Sequence, residues 1–259
     1  GAGLVRSTDN FGLLGERPTH PELLDWLARH TIAHGWSLKR LHRTLAASST
    51  YRQSSVPQPQ TLRADPANLL WGRANIRRLE AEAVRDALLA VSGQLDRSIG
   101  GSLLTVKNRG YFFDHTSKDL TDYRSRRRSL YLPLVRNHVY DVFQLLDFPD
   151  PALPCGDRAT TAIAPQALLM LNSDLVLEAA ADFAERLLAE GVSDGQRIAD
   201  LYWLAYGRPA TARERADCEA FLAAAERELA PSAATKRRHD AWAALCQTIL
   251  AANEFVYVP

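Results

Sequence analysis

Arg78, Glu82 and Arg85 follow one another at spacings of four and three, and Asp86 stands four beyond Glu82. On a helix that puts the first three on one stripe, beside an apolar Leu79–Ala83 face. A half-buried carboxylate flanked by two guanidiniums can orient a polar substrate. The commoner use of such a stripe is an ion-pair network that locks a helix to the loop over it. In either case neighbouring positive charge should hold the Glu82 carboxyl ionised, which suits orientation better than acid catalysis. A second cluster gathers Arg124, Arg126, Arg127, Arg128 and Arg136 among Tyr123, Tyr131 and Tyr140. Arginine forks fit oxyanions in bidentate fashion, so phosphate, sulfate or an acidic glycan comes into view. Asp119, Asp122, Asp141, Asp147 and Asp150 dilute that charge and no nucleic-acid motif is present, so a solvated or salt-bridged segment is the ordinary reading.

Two further groups invite chemistry. Thr160, Thr161 and Gln166 lie before and inside a helix start, with Asn172 close by, where free N–H groups could receive an anion, although capping explains the threonines as well. Among the seven histidines, His30 and His34 are one helical turn apart. No H-E-x-x-H accompanies them and no third ligand is evident, so no metal site is expected. His20 falls in a capping turn beside Pro21, and Asp9 with His20 flanks a Gly-rich turn. Serine lacks a G-x-S-x-G elbow, Cys155 sits in a Pro/Gly loop without a nearby histidine, and the phosphate loop and dinucleotide glycine motifs are absent.

These side chains need a scaffold, and composition bounds it. The chain has 259 residues, 46% of them apolar and 24% charged, with 31 Lys and Arg against 30 Asp and Glu. That is enough apolar content for a real core, and the near-zero net charge argues against an overall nucleic-acid footprint. No apolar run approaches the roughly 20 residues that span a bilayer. The opening Gly-Ala-Gly-Leu-Val-Arg has no signal-peptide character and reads like the middle of a protein, so an upstream part is expected. Cys155, Cys218 and Cys246 are far apart with no C-x-x-C-H, and the last two read as buried free thiols on helices.

Helix signals dominate the chain. Thr19 with Glu22 reads as a capping box around Pro21, opening a helix to about Gly35, and Ser37 caps the next. Asp65-Pro66 reads as the start of a long helix. Ile76, Leu79, Ala83, Ala87 and Ala90 form one stripe of it, Val84, Leu88, Val91 and Leu95 a second, and its end falls near Gly93 to Arg97. From Ser98 to Arg128 the helical period fails: Gly100-Gly101, Asn108, Gly110 and Asp114 punctuate it, and Tyr111-Phe112-Phe113 suits a short strand or a plug. Leu130, Leu132 and Leu134 alternate as in an extended segment, with Pro133 confining it to an edge. Helices return at Val139 to Leu146 and at Pro165, with a recap at Ser173. Capping boxes follow at Ser193/Gln196 and Thr211/Glu214, a stop at Tyr206-Gly207-Arg208-Pro209, and a last helix carries Trp242, Leu245, Ile249 and Ala252. The expected class is mainly α: an irregular multi-helix bundle with a loop-rich central segment and at most a small β element.

Asp9-Asn10-Phe11-Gly12 and the run Gly15-Glu16-Arg17-Pro18-Thr19-His20-Pro21-Glu22-Leu23-Leu24-Asp25-Trp26-Leu27 open a series of specific blocks. Next come Gly35-Trp36-Ser37-Leu38-Lys39-Arg40-Leu41-His42, Ser48-Ser49-Thr50-Tyr51-Arg52-Gln53-Ser54 and Arg78-Leu79-Glu80-Ala81-Glu82-Ala83-Val84-Arg85-Asp86. Arg127-Arg128-Ser129-Leu130-Tyr131-Leu132-Pro133, Phe148-Pro149-Asp150-Pro151, Thr160-Thr161-Ala162-Ile163-Ala164-Pro165-Gln166-Ala167-Leu168 and Asn253-Glu254-Phe255-Val256-Tyr257-Val258 complete the series. Together they resemble the DUF1553 (PSD1) family, the C-terminal domain of large planctomycete proteins, nearly end to end. The resemblance implies one helical domain over 1–259, with possible sub-units 1–97, 98–164 and 165–259. It also implies an exported parent in the periplasm or at the cell surface, an upstream DUF1549-like partner domain, and any haem confined to an upstream cytochrome part, with no cofactor here.

Three functions stay open. The first is an auxiliary, substrate-binding domain with polysaccharide as the candidate ligand. The second is a composite carbohydrate-active or redox-linked enzyme site shared with the upstream domain, with Glu82, Asp147, Asp150 and His20 as its carboxylate and imidazole candidates. The third is a plain scaffold in which the arginine–carboxylate stripe only clamps helices. Neither nucleic acid nor a membrane span is expected as a partner.

Overall fold

The computed structural model describes residues 2–103, 123–136, 138–189, 191–230 and 233–258. The aromatic run Tyr111-Phe112-Phe113, the punctuating Asn108, Gly110 and Asp114, and His115, Asp119 and Asp122 lie outside the described residues. The chain is mainly α and forms two compact units. The first comprises Gly1–Arg78, Cys155–Asp157 and Tyr257–Pro259, and the second Leu79–Pro154 with Arg158–Val256.

In the first unit, α1 (Pro21–Ala33), α2 (Leu38–Ala46) and α3 (Pro59–Ala64) precede a two-residue strand β1 (Arg77–Arg78). It pairs antiparallel with β2 (Tyr257–Val258), Arg77 opposite Val258. This ribbon is the small β element. The expected Thr19 capping box does not form. His20 is the N-cap, and Thr19 turns back so that its N–H donates to the Leu4 carbonyl at 2.8 Å and its hydroxyl to the same oxygen at 3.4 Å. Ser37 does cap α2, accepting from the Arg40 N–H, and Gly35 at φ +64° ends the turn after α1.

The long helix expected from Asp65-Pro66 is also absent. Asp65 closes α3 instead, and its carboxylate accepts the N–H groups of Leu69 at 2.9 Å and Leu70 at 2.7 Å. An aspartate before proline serves a turn as well as a cap, and here the local side-chain-to-backbone bonds win. Asn68, at φ +52°, donates from Nδ2 to the Arg73 carbonyl and to Asn75 Oδ1. Asp65 and Asn68 are the buried residues among those described in this unit, while α1, α2 and α3 bury none. Phe11, Leu13, Leu14, Trp36, Leu38 and Tyr51 stand exposed, Leu14 by 93%.

The second unit holds the hydrophobic core. Its elements are α4 (Ala81–Val91), a 3-10 turn (Ser129–Tyr131), α5 (Asp141–Leu145), α6 (Ala164–Asn172), α7 (Asp174–Leu188), α8 (Asp194–Tyr206), α9 (Ala212–Glu228), α10 (Ala234–Leu250) and α11 (Asn253–Val256). Helices α7 and α10 form the central pair, with Val176, Phe183 and Ala184 meeting a layer that contains Ala241, Trp242 and Cys246, all fully buried. Alanines on both helices let their backbones approach, and Trp242 and Phe183 fill the space beside them. The face of α4 made by Val84, Leu88 and Val91 packs into the same core. Ile76, assigned to that helix by its spacing, precedes it and is 61% exposed.

The Leu130–Leu134 segment is not extended throughout. The Tyr131 N–H donates to the Arg128 carbonyl and the Leu132 N–H to that of Ser129, closing the 3-10 turn. Leu132 is buried while Leu130 and Leu134 face out. Ser173 breaks α6 from α7 through its extended backbone (ψ 141°), without a side-chain cap. Gly207 at φ +69° ends α8, and Thr211 with Glu214 makes a complete capping box on α9. Arg208 joins that box to α11, with Nη2 2.7 Å from Glu214 Oε1 and Nε 2.6 Å from Glu254 Oε1.

Two outcomes test this core. Phe183→Ala should lower unfolding stability by about 3–5 kcal/mol in denaturant titrations, while Leu153→Ala, on the surface of the same unit, should shift it by about 0.5 kcal/mol or less. Arg208 and the Thr211 groups pull the Glu214 carboxyl down from 4.5 to about 2. A lowered folded-state value means that this stabilisation is complete above about pH 4.5 and drains as pH falls toward 2. Melting curves across that window should show Arg208→Gln losing less stability on acidification than the parent chain.

Candidate functional site

Arg85 lies in mid-α4 and is 1% exposed, a charge that must find acceptors indoors. Its Nη1 donates to the Arg127 carbonyl at 3.0 Å and to Ser129 Oγ at 3.2 Å, and its Nη2 to the Ser125 carbonyl. Asp86 stands beside it, 3.6 Å from Nη1, and its Oδ1 accepts both the N–H (2.7 Å) and the hydroxyl (2.6 Å) of Ser129. One ion pair on α4 therefore fastens segment 125–129 by its backbone. Burial pulls the Arg85 pKa down, and Tyr140 and Asp86 push it back up. Burial raises the Tyr140 phenol in turn, against the pull of Arg85.

Beside this anchor opens a cleft of about 440 Å³, within the roughly 300–1,000 Å³ usual for small-molecule sites. Arg85, Gln94, Arg124, Ser125 and Arg126 line it, Arg126 donating from Nη1 to Gln94 Oε1. Asp174, Glu178 and Asp182, spaced by four on α7, supply carboxylates to the same lining. Tyr123 and Tyr140 line it as a stacked pair, ring centroids 4.5 Å apart and planes 13° from parallel. Leu89, Leu175 and Ala179 add apolar surface. Donors, acceptors and aromatic rings thus meet in one concavity. The carboxylate row was missed in the sequence, although its i, i+4, i+8 spacing beside the Val176, Ala180 and Phe183 face was there to be read.

The residues singled out by type fall at several places. Arg78 belongs to β1 in the first unit and is not on α4, which begins only at Ala81. Glu82 does not pair with Arg85: Arg158 holds it in bidentate fashion at 2.8 and 3.0 Å, reaches Glu80 at 3.2 Å, and lies over the Phe148 ring. Arg158 carried no helical-spacing signal, because it approaches from 76 residues away. Asp147, Thr161 and Gln166 do meet. The carboxylate accepts the Thr161 N–H and hydroxyl at 2.8 Å each and the Gln166 Nε2 at 3.1 Å. Asp147 holds this place at φ +61°, a left-handed conformation that aspartate tolerates better than most residues.

Asp150 accepts the Ala152 N–H in a local turn, and Thr160, Asn172 and Arg136 are exposed. Arg127 lies over the Tyr131 ring, its charged carbon 4.0 Å from the centroid, with Arg128 at 5.8 Å. In the first unit His20 stacks on Trp71 at 4.7 Å, and Trp26, His30 and His34 form a ladder at 4.8 and 4.2 Å. Among the described residues no group of three or more His, Cys, Asp and Glu side chains is placed to hold a metal ion, and no helix is long and apolar enough to cross a membrane. Cys218 and Cys246 are buried free thiols, and Cys155 is exposed.

Removing the anchor leaves three acceptors and the Asp86 carboxylate short of a partner. Arg85→Ala should cost about 3–5 kcal/mol of stability in chemical denaturation. Ser129→Ala should cost about 1–2 kcal/mol, because its N–H still reaches Asp86.

Comparison with known proteins gives the chain a family. Residues 1–222 match PSD1, protein of unknown function (DUF1553), and the chain belongs to that family. No curated protein matches, and no solved structure does.

Proposed function

We propose that this PSD1 chain is an auxiliary binding domain that holds a saccharide, a segment of polysaccharide, in the cleft beside Arg85. The carrying observation is the cleft's lining: guanidiniums, the carboxylates of Asp174, Glu178 and Asp182, and the Tyr123–Tyr140 pair within one cavity. Sugar hydroxyls both donate and accept hydrogen bonds, so they match such a lining, and the C–H groups of a sugar ring suit the electron-rich face of an aromatic ring. The carboxylates first considered for catalysis favour binding over chemistry. Glu82 is engaged by Arg158, and Asp147 by Thr161 and Gln166. In this reading the parent is an exported planctomycete-type multidomain protein, and the domain works beside a DUF1549-like neighbour.

Calorimetric titration with neutral, uronate-containing and sulfated oligosaccharides tests the proposal. Binding by at least one class is expected, weakened about tenfold or more by Glu178→Gln combined with Asp182→Asn, at unchanged melting temperature. Silence across all three classes would sink the reading and leave α4 and segment 125–129 as a scaffold.

A further inference from the structure

The second unit holds a different cluster of polar groups, which the saccharide reading does not use. Asp96 accepts the Ser98 N–H at 2.8 Å and the Ser98 hydroxyl at 3.1 Å, which fixes the start of a short loop. Gly100 and Gly101 follow at φ +81° and +75°, conformations open to glycine and strained for other residues. That backbone lets Gly100 turn both of its polar groups to the same neighbours. Its N–H donates to the Tyr131 hydroxyl oxygen at 3.1 Å, and its carbonyl accepts from Arg127 Nη2, which also donates to the Ser98 carbonyl at 3.2 Å. Arg127 so held lies 4.0 Å above the Tyr131 ring centroid, and Arg128 lies 5.8 Å from it.

A phenol oxygen that receives an N–H, with two guanidiniums against its ring, is stabilised as the anion. We propose that Tyr131 is an activated tyrosine, a proton acceptor and nucleophile toward acyl-type substrates, held ready by the Gly100 N–H, Arg127 and Arg128. In the step it performs, the phenolic O–H first breaks and its proton goes to solvent water; the phenolate oxygen then forms a new O–H bond with a substrate proton, and the electron pair of the broken bond stays on the substrate. With an acyl donor the oxygen forms the O–C bond instead, and the leaving group departs with its electron pair. The charged groups facing Tyr131 are Arg127 and Arg128, with the Asp96 carboxylate acting on Arg127 and held by Ser98. These contacts lower the Tyr131 pKa, the Gly100 N–H most of all. Burial moves Tyr140, Tyr202 and Tyr206 the opposite way, so their ionisation is separated from that of Tyr131.

The test is ultraviolet titration of tyrosinate in the 259-residue chain, with N-acetylimidazole as an acyl probe at neutral pH and peptide mass spectrometry as readout. Tyr131 should acetylate before the other described tyrosines, and Tyr131→Phe should remove an ionisation step lying below the ordinary range near 10. Arg128→Gln keeps the phenol and should raise that step and slow acetylation severalfold. A Tyr131 step at about 10 or above, or acetylation no faster than at exposed Tyr51, would overturn the proposal. So would an Arg128→Gln chain that is folded by circular dichroism and titrates like the parent.

Discussion

A buried guanidinium organises the second unit's irregular half. Arg85 sits on a helix whose other positions, Glu82 and Asp86 apart, are alanine, valine and leucine, and it is indoors because segment 125–129 delivers two carbonyls and a hydroxyl to it. The dependence runs both ways. A segment without repeating secondary structure has few hydrogen bonds of its own, so its backbone groups need side-chain partners. Arg85 and Asp86 are those partners, and Arg85 also lines the cleft. Leaving either charge alone in that environment would be more expensive than never having buried the pair.

Much of the helical framework could be read from pattern alone. The stop at Gly207, the Thr211/Glu214 box and the stripe of Trp242, Leu245 and Ile249 are local signals, and local bonds realise them. The failures share a cause. Asp65-Pro66 and Thr19/Glu22 carry good helix-start chemistry, but the same side chains can bond the backbone in turns, and nothing local decides between the two uses. Stretching the α4 helix back to Arg78 then placed three charges on one stripe that the chain never forms.

Legibility of the site follows the same division. Arg85, Asp147, Thr161 and Gln166 are each singled out by residue type, but residue type does not join Asp147 to Thr161 and Gln166, which it meets across 14 and 19 residues. Arg158 reaches Glu82 across 76 residues, and the pairing of Tyr123 with Tyr140 depends on how segment 125–129 is hung from α4. Spacing rules describe neighbours on one element, and contacts of this length belong to topology.

The first unit carries a different consequence. Its described helices bury no side chain, and the buried residues among those described are two polar ones, Asp65 and Asn68, tied to nearby backbone and amide groups. Hydrogen bonds of this kind hold a turn in shape yet contribute little of the solvent-exclusion energy that makes unfolding cooperative. The amide protons of α1 to α3 are therefore governed by subglobal openings, exchanging with solvent on their own schedule while the α7–α10 pair stays closed.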